Sequence, residues 1–244
     1  MGALTVSDVS HHYGATRALS RVALKMSPGE QIALIGASGC GKTTLLKLLG
    51  LQERPTSGEV TVMGCGLGKG KSSMLRTTRS KIGMLPQDLG LVPNLRVVQN
   101  VILGRSGKRW LPGTVRDLLW PAKEEREKIF EILDRMGVAE KMYDRTDSLS
   151  GGQQQRVALS RTLYQGAEVL LADEPLSAVD PARARDVLAL LTSLSRENGS
   201  TLVVSLHQEA LAREFFPRVI GLNKGEVVFD GQPDEAQIES LYDL

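Results

Sequence analysis

The first chemically informative segment of the chain combines spaced glycines with a lysine and a threonine. Residues Gly36 to Thr43 read Gly-Ala-Ser-Gly-Cys-Gly-Lys-Thr, which is the spacing of a phosphate-binding P-loop. A strand-like apolar run, Gln31 to Ile35, precedes it, and Thr44 to Leu49 reads as a helix. Glycines let backbone N–H groups turn inward around phosphate, and the positive end of the helix favours the anion. A Gly-rich turn without a ligand is the alternative, and these flanks argue against it.

The P-loop positions have separate expected tasks. Lys42 should reach the β- and γ-phosphates, and the Thr43 hydroxyl is placed to ligate the Mg²⁺ that bridges them. Cys40 should contribute mainly its backbone N–H, and a nearby phosphate would raise the pKa of its thiol. The expected nucleotide contacts in this segment are Gly36, Ala37, Ser38, Gly39, Cys40, Gly41, Lys42, Thr43 and Thr44. The segment therefore predicts a site for a nucleoside triphosphate and Mg²⁺, which the motifs below narrow to ATP.

Two adjacent carboxylates follow a second apolar run. Val169 to Ala172 reads as a buried parallel strand that delivers Asp173 and Glu174 at its carboxyl end, where ligands bind in open α/β sheets. Asp173 would hold Mg²⁺ directly or through water, and Glu174 would polarise the attacking water. A solvated acidic strand end is the alternative, but the P-loop upstream favours the catalytic interpretation.

The segment Leu149-Ser-Gly-Gly-Gln153, continued by Gln-Gln-Arg-Val-Ala-Leu-Ser-Arg-Thr-Leu163, closely resembles the signature of ATP-binding-cassette (ABC) ATPases. Ser150 and Gln153 also fit a capping box, so an ordinary helix start is the alternative. That alternative does not explain Gly151 and Gly152, which would expose backbone donors to an anion. The resemblance implies that this signature acts in trans, on ATP held by a second copy in a homodimer.

Four further positions match the family pattern in order along the chain. The resemblance implies that Tyr13 stacks on adenine, that Gln87 contacts Mg²⁺ and water, that Asp180 lies in the loop crossing the dimer interface, and that His207 contacts the γ-phosphate. The alternatives are a core or turn tyrosine, an ordinary loop glutamine, a helix cap and a structural histidine. His207 follows the strand-like Thr201 to Leu206, so it should emerge at the same sheet edge as the carboxylates.

The pattern of elements favours an α/β fold in one ABC ATPase domain. We expect a P-loop NTPase (RecA-like) core from residues 1–88 and 160–244. Strands at 4–9, 21–26 and 59–63 should form an antiparallel β lobe beside it. Residues 64–70 are expected to be a hairpin or loop. An inserted α-helical subdomain should span about 89–159 and carry the signature.

Several local features accompany these elements. Lys123 to Met136 has an amphipathic pattern, and a helix is expected over 182–191 after Pro181. His11 and His12 have no motif around them and are expected at the surface. The basic, aromatic segment 105–121 is either a solvated loop with two locally packed tryptophans or a contact with a membrane-embedded partner.

Composition excludes several classes of protein. The chain has 244 residues with 41% hydrophobic residues, enough for a sizeable core. A net charge of +2 and only 4% aromatic residues argue against nucleic acid as a partner. The two cysteines form no disulfide framework and favour a reducing compartment. No signal peptide is apparent, and no apolar run approaches the roughly 20 residues that span a bilayer.

Finer resemblance narrows the expected function. The long segment before the signature, Leu206-His207-Gln208 and Lys224 to Gly231 are most similar to ATPase subunits of phosphonate importers, whose relatives handle phosphite or phosphate. This implies an ATPase at the cytoplasmic face of the bacterial inner membrane. It would bind an integral-membrane permease dimer and, through the permease, an extracytoplasmic solute-binding protein.

Three other kinds of ATPase carry related motifs. A soluble ABC-type accessory ATPase of a phosphonate-degrading complex and an importer ATPase for another small solute share these motifs. A chromosome-organising ATPase would need a long coiled coil between its motifs, and the gap from Gln87 to Ser150 cannot hold one.

Overall fold

Two β-sheets form the framework of the protein. The computed structural model describes residues 4–67, 72–108, 111–177, 181–239 and 241. In chain order the strands are β1 (Leu4–Tyr13), β2 (Thr16–Met26), β3 (Gln31–Ile35), β4 (Ser57–Val62), β5 (Cys65–Gly66), β6 (Ile82–Leu85), β7 (Val169–Ala172), β8 (Thr201–Ser205), β9 (Arg218–Asn223) and β10 (Glu226–Gly231).

Helices connect these strands and cover the larger sheet. They are α1 (Lys42–Leu49), α2 (Ser72–Ser80), α3 (Val97–Ile102), α4 (Leu111–Leu119), α5 (Lys123–Arg135), α6 (Gly151–Tyr164), α7 (Pro181–Glu197), α8 (Glu209–Phe215) and α9 (Glu235–Glu239). Short 3₁₀ helices span Leu103–Lys108, Ala139–Lys141 and Thr146–Ser148. Across the described ranges, every helix is too short or too polar to cross a bilayer.

The larger sheet has the strand order β10-β9-β3-β8-β7-β6. The strands from β9 to β6 in this order pair in parallel, and β10 pairs antiparallel with β9. The three apolar runs predicted to be strands are β3, β7 and β8, which are adjacent in the sheet. Because the strands are parallel, the residues that follow β3, β6, β7 and β8 emerge at one edge, where ligands bind in such sheets.

The smaller sheet is antiparallel, with the order β2-β1-β4-β5. It confirms the strands predicted at 4–9, 21–26 and 59–63. The expected hairpin after residue 63 is confirmed by the pairing of Val62 with Cys65, while residues 68–70 lie outside the described part of the chain.

Side chains of the parallel strands alternate between two hydrophobic clusters, as the period of two in a strand requires. Ile32 and Leu34 of β3 join the cluster that contains α1 and the smaller sheet. Ala33 and Ile35 join the cluster on the other face, which also includes residues of α3, α5 and α6. Burying both faces of β3 fixes the positions of its two ends, and the P-loop begins at one of them.

The segment expected to be helical, 89–149, contains α3, α4, α5 and all three 3₁₀ helices. The amphipathic prediction for α5 is confirmed because Ile129 and Leu133 are fully buried. The predicted boundary between the helical subdomain and the core, at residues 159 and 160, falls within α6. The helix predicted after Pro181 extends to Glu197.

The loop interpretation of 105–121 is wrong for the described residues, which form the 3₁₀ helix Leu103–Lys108 and then α4. The prediction that the two tryptophans pack locally is wrong for Trp120, whose side chain is 75% exposed. Trp110 lies outside the described residues. Arg105 is held against α6, since its Nε donates to the Tyr164 carbonyl oxygen at 2.8 Å and its guanidinium lies over the Tyr164 ring.

Candidate functional site

The P-loop connects the end of β3 to the start of α1, and its glycines are required by close backbone packing. Gly36 has φ +146° and Gly41 has φ +111°. A Cβ at Gly36 would lie 2.1 Å from the Leu222 carbonyl oxygen, and one at Gly41 would lie 2.6 Å from the Ala18 carbonyl oxygen. A larger side chain at either position would therefore displace backbone that supports the loop.

Lys42 lies inside the loop and is only 4% exposed. Its Nζ donates to the carbonyl oxygens of Gly36 at 2.8 Å and Ala37 at 3.1 Å. The ammonium group is thus held where the loop curves, which is the position its expected task requires. Of the other predicted contacts, Ser38, Gly39 and Thr43 are exposed, Ala37 is half-buried, and Cys40, Gly41 and Thr44 are buried.

The thiol of Cys40 lies beside this lysine, with Sγ 4.0 Å from Lys42 Nζ. Burial raises the pKa of Cys40, and the nearby Lys42 charge opposes that shift. The cause of this rise is burial, and the further rise expected from a bound phosphate stays a prediction. A neutral, buried thiol is a poor nucleophile, because the thiolate is the reactive form.

Asp173 and Glu174 follow β7 at the same sheet edge and are held from the neighbouring strand β8. The Ser205 hydroxyl donates to Asp173 Oδ1 at 2.7 Å and accepts from the Glu174 N–H at 2.8 Å. Asp173 is 3% exposed, so its carboxylate is fixed within the protein. The motif carboxylates are therefore set in place by a hydroxyl from another strand.

Glu174 has a left-handed backbone, with φ +48°. This conformation costs a residue with a Cβ about 1–2 kcal/mol, so the surrounding contacts must maintain it. One such contact is with His207, whose Nε2 lies 2.6 Å from Glu174 Oε1. The structure thus brings together Glu174, predicted to polarise the attacking water, and His207, predicted to contact the γ-phosphate.

A cleft of about 620 Å³ lies between the P-loop and the segment after β6. Thr43, Gln87 and Asp173 line this cleft together with Lys47. A hydroxyl, an amide oxygen and a carboxylate are hard oxygen donors of the kind that Mg²⁺ prefers. The three residues predicted to hold the metal are therefore chemically suited to it and share one cleft.

Tyr13, at the end of β1, is 44% exposed and belongs to a charged cluster. Its hydroxyl donates to Glu53, which also lies 3.3 Å from Lys47 Nζ. Burial would raise the pKa of Glu53, but hydrogen bonds from Tyr13 and Lys47 lower it overall. Burial and the bond to Glu53 raise the pKa of Tyr13. The ring is thus anchored at its hydroxyl end while much of its surface stays accessible for stacking.

His11 packs edge-on against the Tyr13 ring, with 4.7 Å between ring centroids. The expectation that His11 lies at the surface is wrong, because it is 7% exposed, whereas His12 is exposed as expected. His11 Nε2 lies 3.4 Å from Glu53 Oε2, but the two atoms form no hydrogen bond. His11 therefore helps to fix the orientation of Tyr13 by packing.

The signature segment begins α6 with a capping box. Ser150 is the N-cap, its hydroxyl accepts from the Gln153 N–H at 3.4 Å, and Gln153 Oε1 accepts from the Ser150 N–H at 3.0 Å. Ser150 and Gly151 are exposed, and Ser150 and Gly152 border a cavity of about 680 Å³ beside α7. The geometry therefore contains the capping box of an ordinary helix start together with an exposed Gly151 and a half-buried Gly152. Asp180 lies outside the described residues.

Arg161 connects α6 to the segment that follows Gln87. Its guanidinium donates to the carbonyl oxygens of Gly90 at 2.5 Å and Leu89 at 2.6 Å. Burial lowers the pKa of Arg161, and Asp88 opposes that shift. Since α6 starts at the signature, one continuous helix links the signature to the segment Gln87 to Gly90, referred to below as the glutamine loop.

Comparison with known proteins identifies the family. A family profile described as ABC transporter matches residues 19–177, more than half of the chain. This chain belongs to the ABC transporter family. It is an ABC ATPase, as the signature resemblance predicted, and the expected P-loop fold is confirmed.

Two relatives illustrate the sequence similarity. The Phosphonates import ATP-binding protein PhnC 2 of Oceanobacillus iheyensis is 41% identical over 247 residues, covering 99% of this chain and 96% of the relative. The Phosphonates import ATP-binding protein PhnC 1 of Pseudomonas aeruginosa is 42% identical over 234 residues, covering 95% of this chain and 87% of the relative.

Two solved structures share the fold of this ABC ATPase. The dimeric structure of MJ0796, a bacterial ABC transporter cassette, has a TM-score of 0.83 with 31% identity and covers 94% of this chain and 98% of that one. The dimeric post-hydrolysis state of MJ0796 bound to ADP and Pi has a TM-score of 0.79 with 31% identity and the same coverage.

Three residues of this ABC ATPase were missed by sequence reasoning, namely Glu53, Arg161 and Ser205. None of them lies in the P-loop, in Leu149 to Gln153 or in the Asp173-Glu174 pair. Each makes a hydrogen bond to a residue far away in the chain. Arg161 lies 71 residues from Gly90, and Ser205 lies 32 residues from Asp173. The available signal for Ser205 was a polar residue at the end of a strand, directly after the apolar Leu202, Val203 and Val204.

Proposed function

We propose that this ABC ATPase energises the import of phosphonate, or of a related phosphorus oxyanion such as phosphite or phosphate. The observation that carries the proposal is about 40% identity to phosphonate import ATP-binding proteins over nearly the full chain. This subunit would hydrolyse ATP, and a separate permease would carry the solute. The solute assignment therefore rests on these relatives rather than on the geometry of the ATP site.

ATP would bind along the edge formed by the P-loop and β1. The loop N–H groups and Lys42 would hold the β- and γ-phosphates, and the accessible face of Tyr13 would stack on adenine. Thr43, Gln87 and Asp173 would hold Mg²⁺, which supplies charge neutralisation between the phosphates when bound. The buried positions of Lys42 and Asp173 support this assignment, because they limit competition from water.

Hydrolysis would depend on the pair formed by Glu174 and His207. The Glu174 carboxylate would accept a proton from water as the water oxygen bonds to the γ-phosphorus and ADP leaves. His207, 2.6 Å from that carboxylate, would orient it and contact the γ-phosphate. The exposed position of His207 allows its ring to face a phosphate that enters the cleft.

A second copy of the chain would complete each ATP site. The exposed Ser150 and Gly151, with the half-buried Gly152 and Gln153 beside them, would reach the γ-phosphate held by the partner. Asp180 would lie in the loop that crosses the dimer interface. Closure of two copies would exclude water and preorganise the site. The dimeric MJ0796 structures support this arrangement as relatives of the same fold.

Closure would be passed to the permease through the inserted helical subdomain, about residues 89–159. Arg161 holds the carbonyls of Leu89 and Gly90, so movement of α6 would move the glutamine loop. The subunit would lie peripherally at the cytoplasmic face of the bacterial inner membrane. An extracytoplasmic solute-binding protein would act on it only through the permease.

The test is purification of the tagged chain from detergent-solubilised native membranes, followed by native mass spectrometry. We expect a polytopic membrane protein accompanied by two copies of this subunit. A strain that produces the tag alone is the control for nonspecific recovery. ATPase activity of the complex, reconstituted with its solute-binding protein, should rise with phosphonate, phosphite or phosphate. Recovery only with soluble enzymes would replace the importer by an accessory ATPase of a degradation complex.

A further inference from the structure

Ser205 ends β8 and is fully buried at the sheet edge that carries the site. Its hydroxyl donates to Asp173 Oδ1 at 2.7 Å and accepts from the Glu174 N–H at 2.8 Å. One side chain thus contacts both acidic residues. We infer that Ser205 is a positioning residue for ATP hydrolysis, which aims the Asp173 carboxylate at the metal and fixes the backbone of Glu174. The inference rests on the proposed roles of those two residues.

The hydrogen bond from Ser205 to Asp173 determines which oxygen of that carboxylate faces the cleft. A carboxylate on a short side chain can rotate, and a hydrogen bond to one oxygen restricts that rotation. Within the described ranges Oδ1 is bound to Ser205 and no hydrogen bond involves Oδ2, so Oδ2 is the oxygen that would reach a metal in the cleft that Thr43 and Gln87 also line. Ser205 therefore orients a metal ligand from the far side, although it does not itself line the cleft.

The contact with Glu174 maintains an unfavourable backbone conformation. The φ of Glu174 is +48°, and its N–H is directed at the Ser205 oxygen. Two residues further along the chain, His207 holds the side chain of the same glutamate. Ser205 at the end of β8 and His207 just after it thus fix Glu174 at two points, its backbone and its carboxylate. If the Ser205 hydroxyl is removed, the carboxylate contact with His207 is what remains of these two.

A purely structural role is the competing explanation, and Ser195 provides a matched control. Ser195 is also fully buried, and its hydroxyl donates to the Ser200 carbonyl oxygen at 2.7 Å. That contact ties α7 to the residue before β8 and involves no expected ligand of ATP or metal. Ser195→Ala should therefore reproduce the loss of a buried hydroxyl without any effect on the site.

The experiment compares Ser205→Ala, Ser205→Cys and Ser195→Ala under reducing conditions. Cysteine keeps the shape of serine but is a weak donor and acceptor, so Ser205→Cys remains informative if the alanine variant does not fold. Mn²⁺ serves as the probe of the metal site in the complex with AMP-PNP, and its affinity is measured by electron paramagnetic resonance. AMP-PNP affinity in EDTA, steady-state kcat and Tm are measured in parallel.

For Ser205→Ala we expect Mn²⁺ affinity and kcat each to fall about tenfold, the lower end of the usual cost of losing an outer-shell partner. AMP-PNP affinity in EDTA should stay near the wild-type value, because the P-loop contacts remain. Ser205→Cys should show smaller losses in the same direction. Ser195→Ala should lower Tm alone.

Wild-type Mn²⁺ affinity and kcat in the folded Ser205 variants would overturn the inference, whatever their Tm. Equal losses in Ser195→Ala would also overturn it, since the effect would then follow from any buried hydroxyl. Failure of the wild-type protein itself to bind Mn²⁺ with AMP-PNP, or to hydrolyse ATP, would instead refute the proposed function. The two failures are therefore distinguishable.

Discussion

The two regions expected to contact phosphate are built in opposite ways. At the P-loop edge, Lys42 and Asp173 are buried and held by contacts within the chain. At the start of α6, Ser150 and Gly151 are exposed, and the backbone groups of the first turn are partly satisfied by the capping box. The P-loop edge is thus a pocket whose residues are already held in place within one chain, called the finished pocket below. The start of α6 is an exposed surface.

This difference suggests why a single chain would be catalytically incomplete. A buried, preorganised edge can bind nucleotide without rearrangement, but an exposed helix start contributes only when another molecule approaches it. Substitutions at the first region should therefore act within one chain. Substitutions at the second should act on the partner.

Lys42→Ala should cause the largest loss, because it removes the charge from the finished pocket. Charge-assisted hydrogen bonds contribute about 1.5–3 kcal/mol each, so losing two phosphate contacts predicts at least about 100-fold weaker ATP binding. Turnover should be lost with it. Calorimetric titration with ATP checks the affinity. Lys81→Ala removes a surface lysine paired with Glu168 and should bind normally. Undiminished affinity of Lys42→Ala would contradict the P-loop assignment.

Glu174→Gln separates binding from chemistry within the same pocket. The amide keeps the shape of the side chain but cannot accept the proton, so turnover should fall roughly 10²–10⁴-fold with ATP affinity retained. Single-turnover hydrolysis and nucleotide titration measure the two effects. Glu197→Gln, at an exposed glutamate paired with Arg135, is the matched control. Near-normal turnover would remove Glu174 from its proposed role.

Ser150→Ala tests the exposed region. ATP binding to the single chain should be unchanged, while turnover should fall about tenfold, the value of one charge-assisted hydrogen bond near 1.5 kcal/mol. Mixing this variant with Lys42→Ala should restore activity above that of either protein alone. The mixed dimer contains one site with an intact lysine from one chain and an intact serine from the other.

A second mixture provides the control for this trans effect. Lys42→Ala mixed with Glu174→Gln should stay inactive, because the base and the lysine serve the same ATP from the same chain. Two results would contradict the division between the buried P-loop edge and the exposed start of α6. One is recovery of ATPase activity in the mixture of Lys42→Ala with Glu174→Gln. The other is no recovery of ATPase activity when Ser150→Ala is mixed with Lys42→Ala.

Much of this organisation could be predicted because its signals are local. Apolar runs buried on both faces predict β3, β7 and β8, and contiguous motifs place the P-loop and the carboxylates at strand ends. The resemblance to a family supplied the roles of isolated residues such as Gln87 and His207, which a spacing argument alone would not give.

The remaining features depend on contacts between distant segments or on local signals that point the wrong way. Pro112 and Gly113 favour a loop, yet they lie in the first turn of α4, where proline is tolerated. His11 is buried by packing against Tyr13, although nothing around it in the sequence predicts that contact. Ser205 and Arg161 likewise acquire partners only when the sheet and α6 are assembled.

Tyr13 should show the smallest effect, because it belongs to the finished region but lies at its exposed margin. Replacing it with alanine removes a stacking surface worth about 1 kcal/mol, at the low end for a base on an aromatic ring, so ATP affinity should fall about fivefold. Tyr13→Phe keeps the ring but loses the hydrogen bond to Glu53, and it should bind ATP nearly as well as the wild type. Titrations with ATP and with triphosphate lacking the base separate stacking from phosphate binding. A loss for both ligands in Tyr13→Ala would mean that the ring supports the P-loop rather than the base, and the contrast between buried and exposed contacts would then have to be redrawn around the cluster of Tyr13, His11 and Glu53.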